Sequence, residues 1–179
     1  MKSIMISIQP QWVEKILNGE KTIEIRKTMP KCKMPCKVYI YCTKGKSDKD
    51  NLVVCHSFPA IMPYNANGKV VAEFTLNTVK EYGYVYSPAM LMQGYYTRRG
   101  KELDYSKTCL KLHEIEKYAD DGKALPKPIY AWHIDNLKIY DKPKELSEFR
   151  HEKVLHYGDD VFYKTVTRPP QSWCYVEEI

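Results

Sequence analysis

Nowhere does the chain hold an apolar run approaching the ~18–20 residues of a membrane-spanning helix. Its opening, Met1-Lys2-Ser3-Ile4-Met5, reads as strand and not as the apolar stretch and small-residue cleavage site of a secretory signal. A soluble, cytoplasmic protein with no membrane partner is therefore expected. There is no Gly-x-Gly-x-x-Gly and no Walker loop, so neither of those cradles for nucleotide phosphates is available. No internal repeat or low-complexity tract is present, which argues against a repeat array. The Cys-x2-Cys knuckle of many zinc sites is missing too. The cysteines, Cys32, Cys36, Cys42, Cys55, Cys109 and Cys174, are expected as free thiols in a cytosolic chain with a real core. Cys32, Cys36, Cys55 and His56 are zinc-ligand types, but the Cys-x3-Cys spacing is loose. They read as buried or loop residues, and no metal or cofactor is expected.

What is present suits one domain. At 179 residues and 44% hydrophobic content the chain can bury a full core, whereas two independent domains would each be marginal. Lys and Arg number 28 against 22 Asp and Glu, a net charge of +6 that favours a polyanionic partner without requiring one. Basic and aromatic residues interleave in Gly94-Tyr95-Tyr96-Thr97-Arg98-Arg99-Gly100-Lys101, beside Tyr82-Gly83-Tyr84-Val85-Tyr86. Tyr95 and Tyr96 would stack unpaired bases at about 1–3 kcal/mol each, while Arg98, Arg99 and Lys101 would hold phosphates. The same tyrosines equally suit packing against the body of the domain under a solvated loop.

Periodicity and breakers order the chain. Residues 3–8 read as a strand, and Pro10 opens a helix to about Asn18 with Trp12, Val13, Ile16 and Leu17 on its apolar face. Gly19 ends that helix. Strands follow at about 22–27, 37–43 and 69–79, with Val38, Ile40 and Cys42 alternating against Tyr39 and Tyr41. Residues 44–67, rich in Lys, Asp, Pro and Asn, form an insertion. A second spans about 80–127, with a short helix from Pro88 to Gln93 and a longer one from Ser106 to Tyr118. In the longer helix Leu112, Ile115 and Tyr118 form the packed side, and Leu110, His113 and Lys117 share another. A strand at 129–140 stops at Pro143, and residues 144–179 wrap the domain, ending in a short strand near Trp173–Glu177. His133 reads as a residue of the core. His151 and His156, near Arg150, Lys153 and Lys164, have a composition that acid–base ribonucleases also use, though such histidines are more often solvated surface.

The densest charge pattern is Gly19-Glu20-Lys21-Thr22-Ile23-Glu24-Ile25-Arg26. On a strand Glu24 and Arg26 share a face, while Ile23 and Ile25 bury oppositely. The turn after Gly19 can bring the long Lys21 stem to the Glu24 and Arg26 side. An ordinary exposed ion pair, worth about 0–1 kcal/mol, is the alternative reading.

This octet resembles the G-x-K-x-x-E-x-R signature of the ASCH family, a branch of the PUA-like superfamily, at all four defined positions. Ser7-Ile8-Gln9-Pro10 and Trp12–Asn18 look like the family's opening strand and helix. Lys37–Tyr41, Gly68–Phe74 and Ala131–Ile134 look like later strands, and Arg168–Trp173 resembles the tail of longer members. The resemblance implies an α+β fold, a small PUA-like β-barrel of about five to six mixed strands with flanking helices and a helical insertion. It also implies a cleft beside the first helix, with Lys21, Glu24, Arg26, Gln9 and Trp12 as ligand-binding residues for single-stranded RNA or a modified nucleoside, DNA being the other nucleic acid such a cleft would take. Bacterial N4-acetylcytidine amidohydrolases carry a similar Lys-Thr-Ile-Thr-Ile-Arg string. Here Glu24 replaces the threonine of that string, so a hydrolase would use Lys21 and Glu24 as catalytic residues, with water activated by Glu24. Glu73, Glu114 and Glu116 are candidates for the downstream acid. A third reading is a protein-interaction module whose cleft is filled by its own Arg168–Trp173 tail.

Overall fold

The computed structural model describes residues 2–45, 52–55, 62–154 and 161–179. His56 and His156 lie outside the described residues, so the readings placed on them are not addressed by it. The element order is β1 (Lys2–Ile8), α1 (Pro10–Leu17), β2 (Ile23–Arg26), β3 (Cys36–Cys42), β4 (Leu52–Cys55), β5 (Met62–Asn65), β6 (Val70–Leu76), β7 (Val79–Ser87) and β8 (Met92–Tyr96). Then come α2 (Tyr105–Thr108), α3 (Leu112–Ala119), β9 (Ile129–His133), β10 (Asp135–Lys144), β11 (Arg150–Val154), β12 (Val161–Thr165) and β13 (Trp173–Glu177).

A five-stranded sheet has the order β10-β6-β3-β1-β13, with β1 and β3 parallel and the remaining pairs antiparallel. A four-stranded antiparallel sheet has the order β2-β9-β7-β8. The expected barrel takes the form of two open sheets joined at a corner. β6 passes to β7 through Asn77 and Thr78, and β9 passes to β10 through Ile134. The His133 amide donates to Thr78 O (3.1 Å), stitching the two changes of sheet together, and the Ile134 amide donates to Thr22 O (3.0 Å) just ahead of β2.

The parallel neighbours β1 and β3 are buried on both faces, which is why each reads as a nearly unbroken apolar run. Ile4, Ile6, Val38 and Ile40 pack with Val13 and Ile16 of α1 and with Trp132. Met5, Tyr39 and Tyr41 point the other way, where Phe149, Val166 and Val176 of the C-terminal segment cover them. A third cluster lies under α3, where Ile115 and Ala119 meet Ile23, Ile25, Ile129 and Ala131 of the second sheet.

Three expected elements take a different form. The tyrosine-rich start of the second insertion is not loop and helix but the β7–β8 hairpin, because Tyr82, Tyr84 and Tyr86 alternate as aromatic strand formers do. Pro88 opens only a 3-10 turn, Pro88–Met90. The longer helix breaks into α2 and α3 at Cys109, whose φ is +55°. The Lys107 and Thr108 carbonyls there accept from Thr22 N and Lys21 Nζ instead of continuing a helix. Strand 129–140 divides at the change of sheet, and its second half runs past Pro143 because β10 is an edge strand.

Candidate functional site: a charged cleft beside the first helix

Asn18 caps α1 and Gly19 follows at φ +73°, a left-handed turn that suits glycine. The amides of Glu20 and Lys21 then both donate to Lys15 O, which folds the chain back before β2 begins. Lys21 precedes the strand and is only 2% exposed. Its Nζ donates to Ile23 O (3.0 Å) and Thr108 O (2.6 Å) and pairs with Glu24 Oε2 at 3.2 Å. An ammonium has three N–H donors, so these three acceptors engage all of them and Lys21 is a positioned cation.

Glu24 and Arg26, each 8% exposed, are buried and not merely facing a groove. Glu24 Oε1 meets Arg26 Nη2 at 3.1 Å, so the carboxylate bridges two cations. Arg26 Nη2 also donates to Ser7 O (2.8 Å) and Nη1 to Ser172 Oγ (3.3 Å). Arg26 Nε is buried with no partner among the described residues. The buried triad therefore carries one cation in excess of its carboxylate, an arrangement suited to an anion or a strong acceptor.

These residues line a cleft of about 610 Å3. Gln9 and Trp12 of the α1 entry join Lys21, Glu24 and Arg26 on its wall, and Lys21 Nζ lies 5.6 Å from the Trp12 ring centre. Leu110, Glu114 and Tyr118 line it as well. Tyr118 was expected on the packed side of its helix; Ile115 and Ala119 take that role, and Tyr118 turns to the cleft. Burial pushes its hydroxyl pKa up, with the Arg26 charge pulling the other way. Lys27 Nζ sits 4.9 Å from the same ring. Glu114 and Tyr118 are i, i+4 neighbours on α3, a sequence signal for part of this wall.

Of the candidate acids, Glu114 alone lines the cleft, at its exposed rim, where Oε2 also accepts from Lys111 N (2.8 Å). Glu116 instead bonds the Tyr84 hydroxyl (2.7 Å) outside the cleft, and Glu73 accepts from the Tyr140 hydroxyl (2.6 Å) on the far side of the first sheet. The C-terminal tail supplies a wall of the cleft and does not fill it. Pro169, Pro170 and Gln171 line it, Ser7 Oγ donates to Pro170 O (2.6 Å), and the Trp173 indole donates to Thr28 Oγ1 (2.9 Å).

The basic–aromatic stretch is not part of this cleft. Tyr95 is 0% exposed in the core under α3, its ring 5.4 Å from that of Tyr84, so it cannot stack on a base. Strand alternation explains the correction: Tyr95 faces inward on β8, while Arg98, Arg99 and Lys101 are exposed on the turn beyond and Tyr96 is half-buried. His133 is half-buried and His151 Nδ1 contacts Tyr175 O at 3.3 Å; neither lines the cleft. Among the described residues no three His, Cys, Asp or Glu side chains converge as metal ligands would, and no helix is long and apolar enough to cross a membrane.

Two open sheets sharing a corner, with a charged cleft beside the first helix, define an α+β domain of PUA-like type. The chain belongs to the ASCH domain family, whose sequence model matches residues 6–144. It is similar in fold to the crystal structure of ASCH from Zymomonas mobilis, with a TM-score of 0.54 and 16% identity over 98% of this chain and 88% of that one. A point mutant of the same Zymomonas mobilis protein superposes with a TM-score of 0.55 at 15% identity, covering 99% and 92% of the two chains. At such identities the likeness is one of fold. Among curated proteins no relative matches.

Proposed function

We propose that this protein binds single-stranded RNA or a modified nucleoside, with a nucleobase in the cleft between Trp12 and Tyr118. The observation that carries the reading is the buried Lys21–Glu24–Arg26 triad on the cleft wall, whose excess cation would meet an acceptor on the ligand. Flat aromatic and prolyl surfaces suit a planar ring, and Gln9 and Gln171 offer amides for its polar edge. Arg98, Arg99 and Lys101, exposed on their turn, would hold phosphates of a longer strand outside the cleft.

The test is titration of the purified chain with N4-acetylcytidine and with a short single-stranded RNA, at low and physiological salt, with mass spectrometry for product. Arg26→Ala should weaken nucleoside binding roughly 10–100-fold, the value of a hydrogen bond to a charged group. Unchanged affinity in that variant removes the reading. A hydrolase acting on RNA or on N4-acylated cytidine is the second reading, favoured by Glu114 lying on the same cleft as Glu24. It requires product that disappears in both Glu24→Gln and Glu114→Gln.

A further inference from the structure

The loop from Arg26 to β3 carries a pair of sulfur atoms that the cleft does not use. Cys32 Sγ and Cys36 Sγ lie 3.0 Å apart, Cys32 half-buried and Cys36 buried. The loop is also fastened to the C-terminal strand. Thr28 Oγ1 accepts from the Trp173 indole (2.9 Å), and the Lys31 amide donates to the Tyr175 hydroxyl (2.6 Å). Cys32 and Met34 pack on the same core surface as Trp173 and Tyr175. Just ahead of Trp173, Ser172 receives Arg26 Nη1 and Gln171 lines the cleft. A bond between the two sulfurs would therefore act on a loop that begins at Arg26 and grips the strand leading out of the cleft's tail wall.

We propose that Cys32 and Cys36 are a reversible redox pair that closes to a disulfide under a peroxide and stiffens the loop against β13. Cys32 is the first to react, since it is the more exposed of the two residues. Burial, and then the contact with Cys32, push the Cys36 thiol up to about 12, so Cys36 is the resolving partner. The Cys32 sulfur attacks a peroxide oxygen, the O–O bond breaks and one water leaves, giving a sulfenic acid on Cys32. The Cys36 sulfur then attacks Cys32 Sγ, the S–O bond breaks and a second water leaves as the S–S bond forms. The two thiols together give up two electrons and two protons to one hydrogen peroxide, and an added dithiol reverses the change. The proposal rests on the loop and strand alone, so it stands or falls separately from the identity of the cleft's ligand.

Lys33 lies between the two cysteines, which makes the test direct. The reduced full chain is treated with stoichiometric hydrogen peroxide, alkylated while denatured and digested with trypsin. The expected product is a disulfide joining the peptides Cys32–Lys33 and Met34–Lys37, restored to two alkylated peptides by dithiothreitol and absent from Cys32→Ser. Oxygen adducts on either cysteine, a cross-link to another cysteine, or alkylation of both peptides after treatment would overturn the proposal. Amide exchange is followed at Trp173–Tyr175 in parallel. Slowing of roughly tenfold in the oxidised chain is expected from closing the loop. A cross-link with unchanged exchange overturns the stiffening. The wild-type digest decides the chemistry even if a variant folds poorly.

Discussion

Replacing Lys21 by methionine keeps the stem and removes the charge, so it isolates what the ammonium does. Thr108 O and Ile23 O lose their buried donor and Glu24 loses one of two cations. Breaking a buried ion pair from one side costs about 3–5 kcal/mol, so the urea midpoint should drop markedly with the slope unchanged. His133 supplies a second test at this scale. Burial lowers its pKa from the ordinary 6.5, Lys80 adds to the effect, Asp135 opposes it, and Lys107 and Lys101 reinforce it. Nε2 is buried without a partner among the described residues. Below its ordinary value the unfolded chain takes up a proton that the folded chain refuses. The stabilising contribution is thus complete above 6.5 and lost as pH falls through the lower folded value. Denaturation midpoints between about pH 7 and pH 5 should fall less steeply in His133→Gln than in the wild type.

The turn after β8 behaves as an element of its own. Thr97 N donates to Lys101 O (2.8 Å), holding Arg98 and Arg99 at the tip, while Tyr95 is anchored in the core behind them. If the tip holds phosphates of a single strand, Arg98→Ala with Arg99→Ala should lower the slope of log affinity against log salt by about 1.4, near 0.7 per contact. Nucleoside affinity should not change, because the turn contributes nothing to the cleft wall. A salt titration of RNA binding beside a nucleoside titration separates the two. The broken α2–α3 helix shows why element boundaries escaped the sequence. The apolar spacing allowed one helix from Ser106, but Thr22 and Lys21, far away in sequence, take the carbonyls that would have continued it.

For the whole molecule, β13 and the tail before it join sheet, core and cleft. β13 pairs with β1 from Lys2 to Ile6, Val176 is buried against the far face of the first sheet, and Ser172 meets both Arg26 and Ser7. A chain ending at Thr167 would expose β1 as an edge strand and open one wall of the cleft. Its melting temperature should fall by more than about 10 °C, at roughly 2–4 °C per kcal/mol for a chain of this size. Nucleoside affinity should be lost with it; calorimetric melting and titration check the two outcomes.

Local pattern by itself determined α1 with its proline start and glycine stop, the strands β1, β2 and β3, and the short β13. Each depends on residues within a few positions of one another, where period and turn chemistry speak directly. Only the tertiary structure decided that Tyr95 is core, that Tyr118 turns to the cleft, and that Ser7 and Ser172 hold Arg26. An amphipathic residue such as tyrosine fits a core or a cleft equally well until the opposing surface is in place. The partners of Arg26 come from opposite ends of the chain, a proximity that no local pattern encodes.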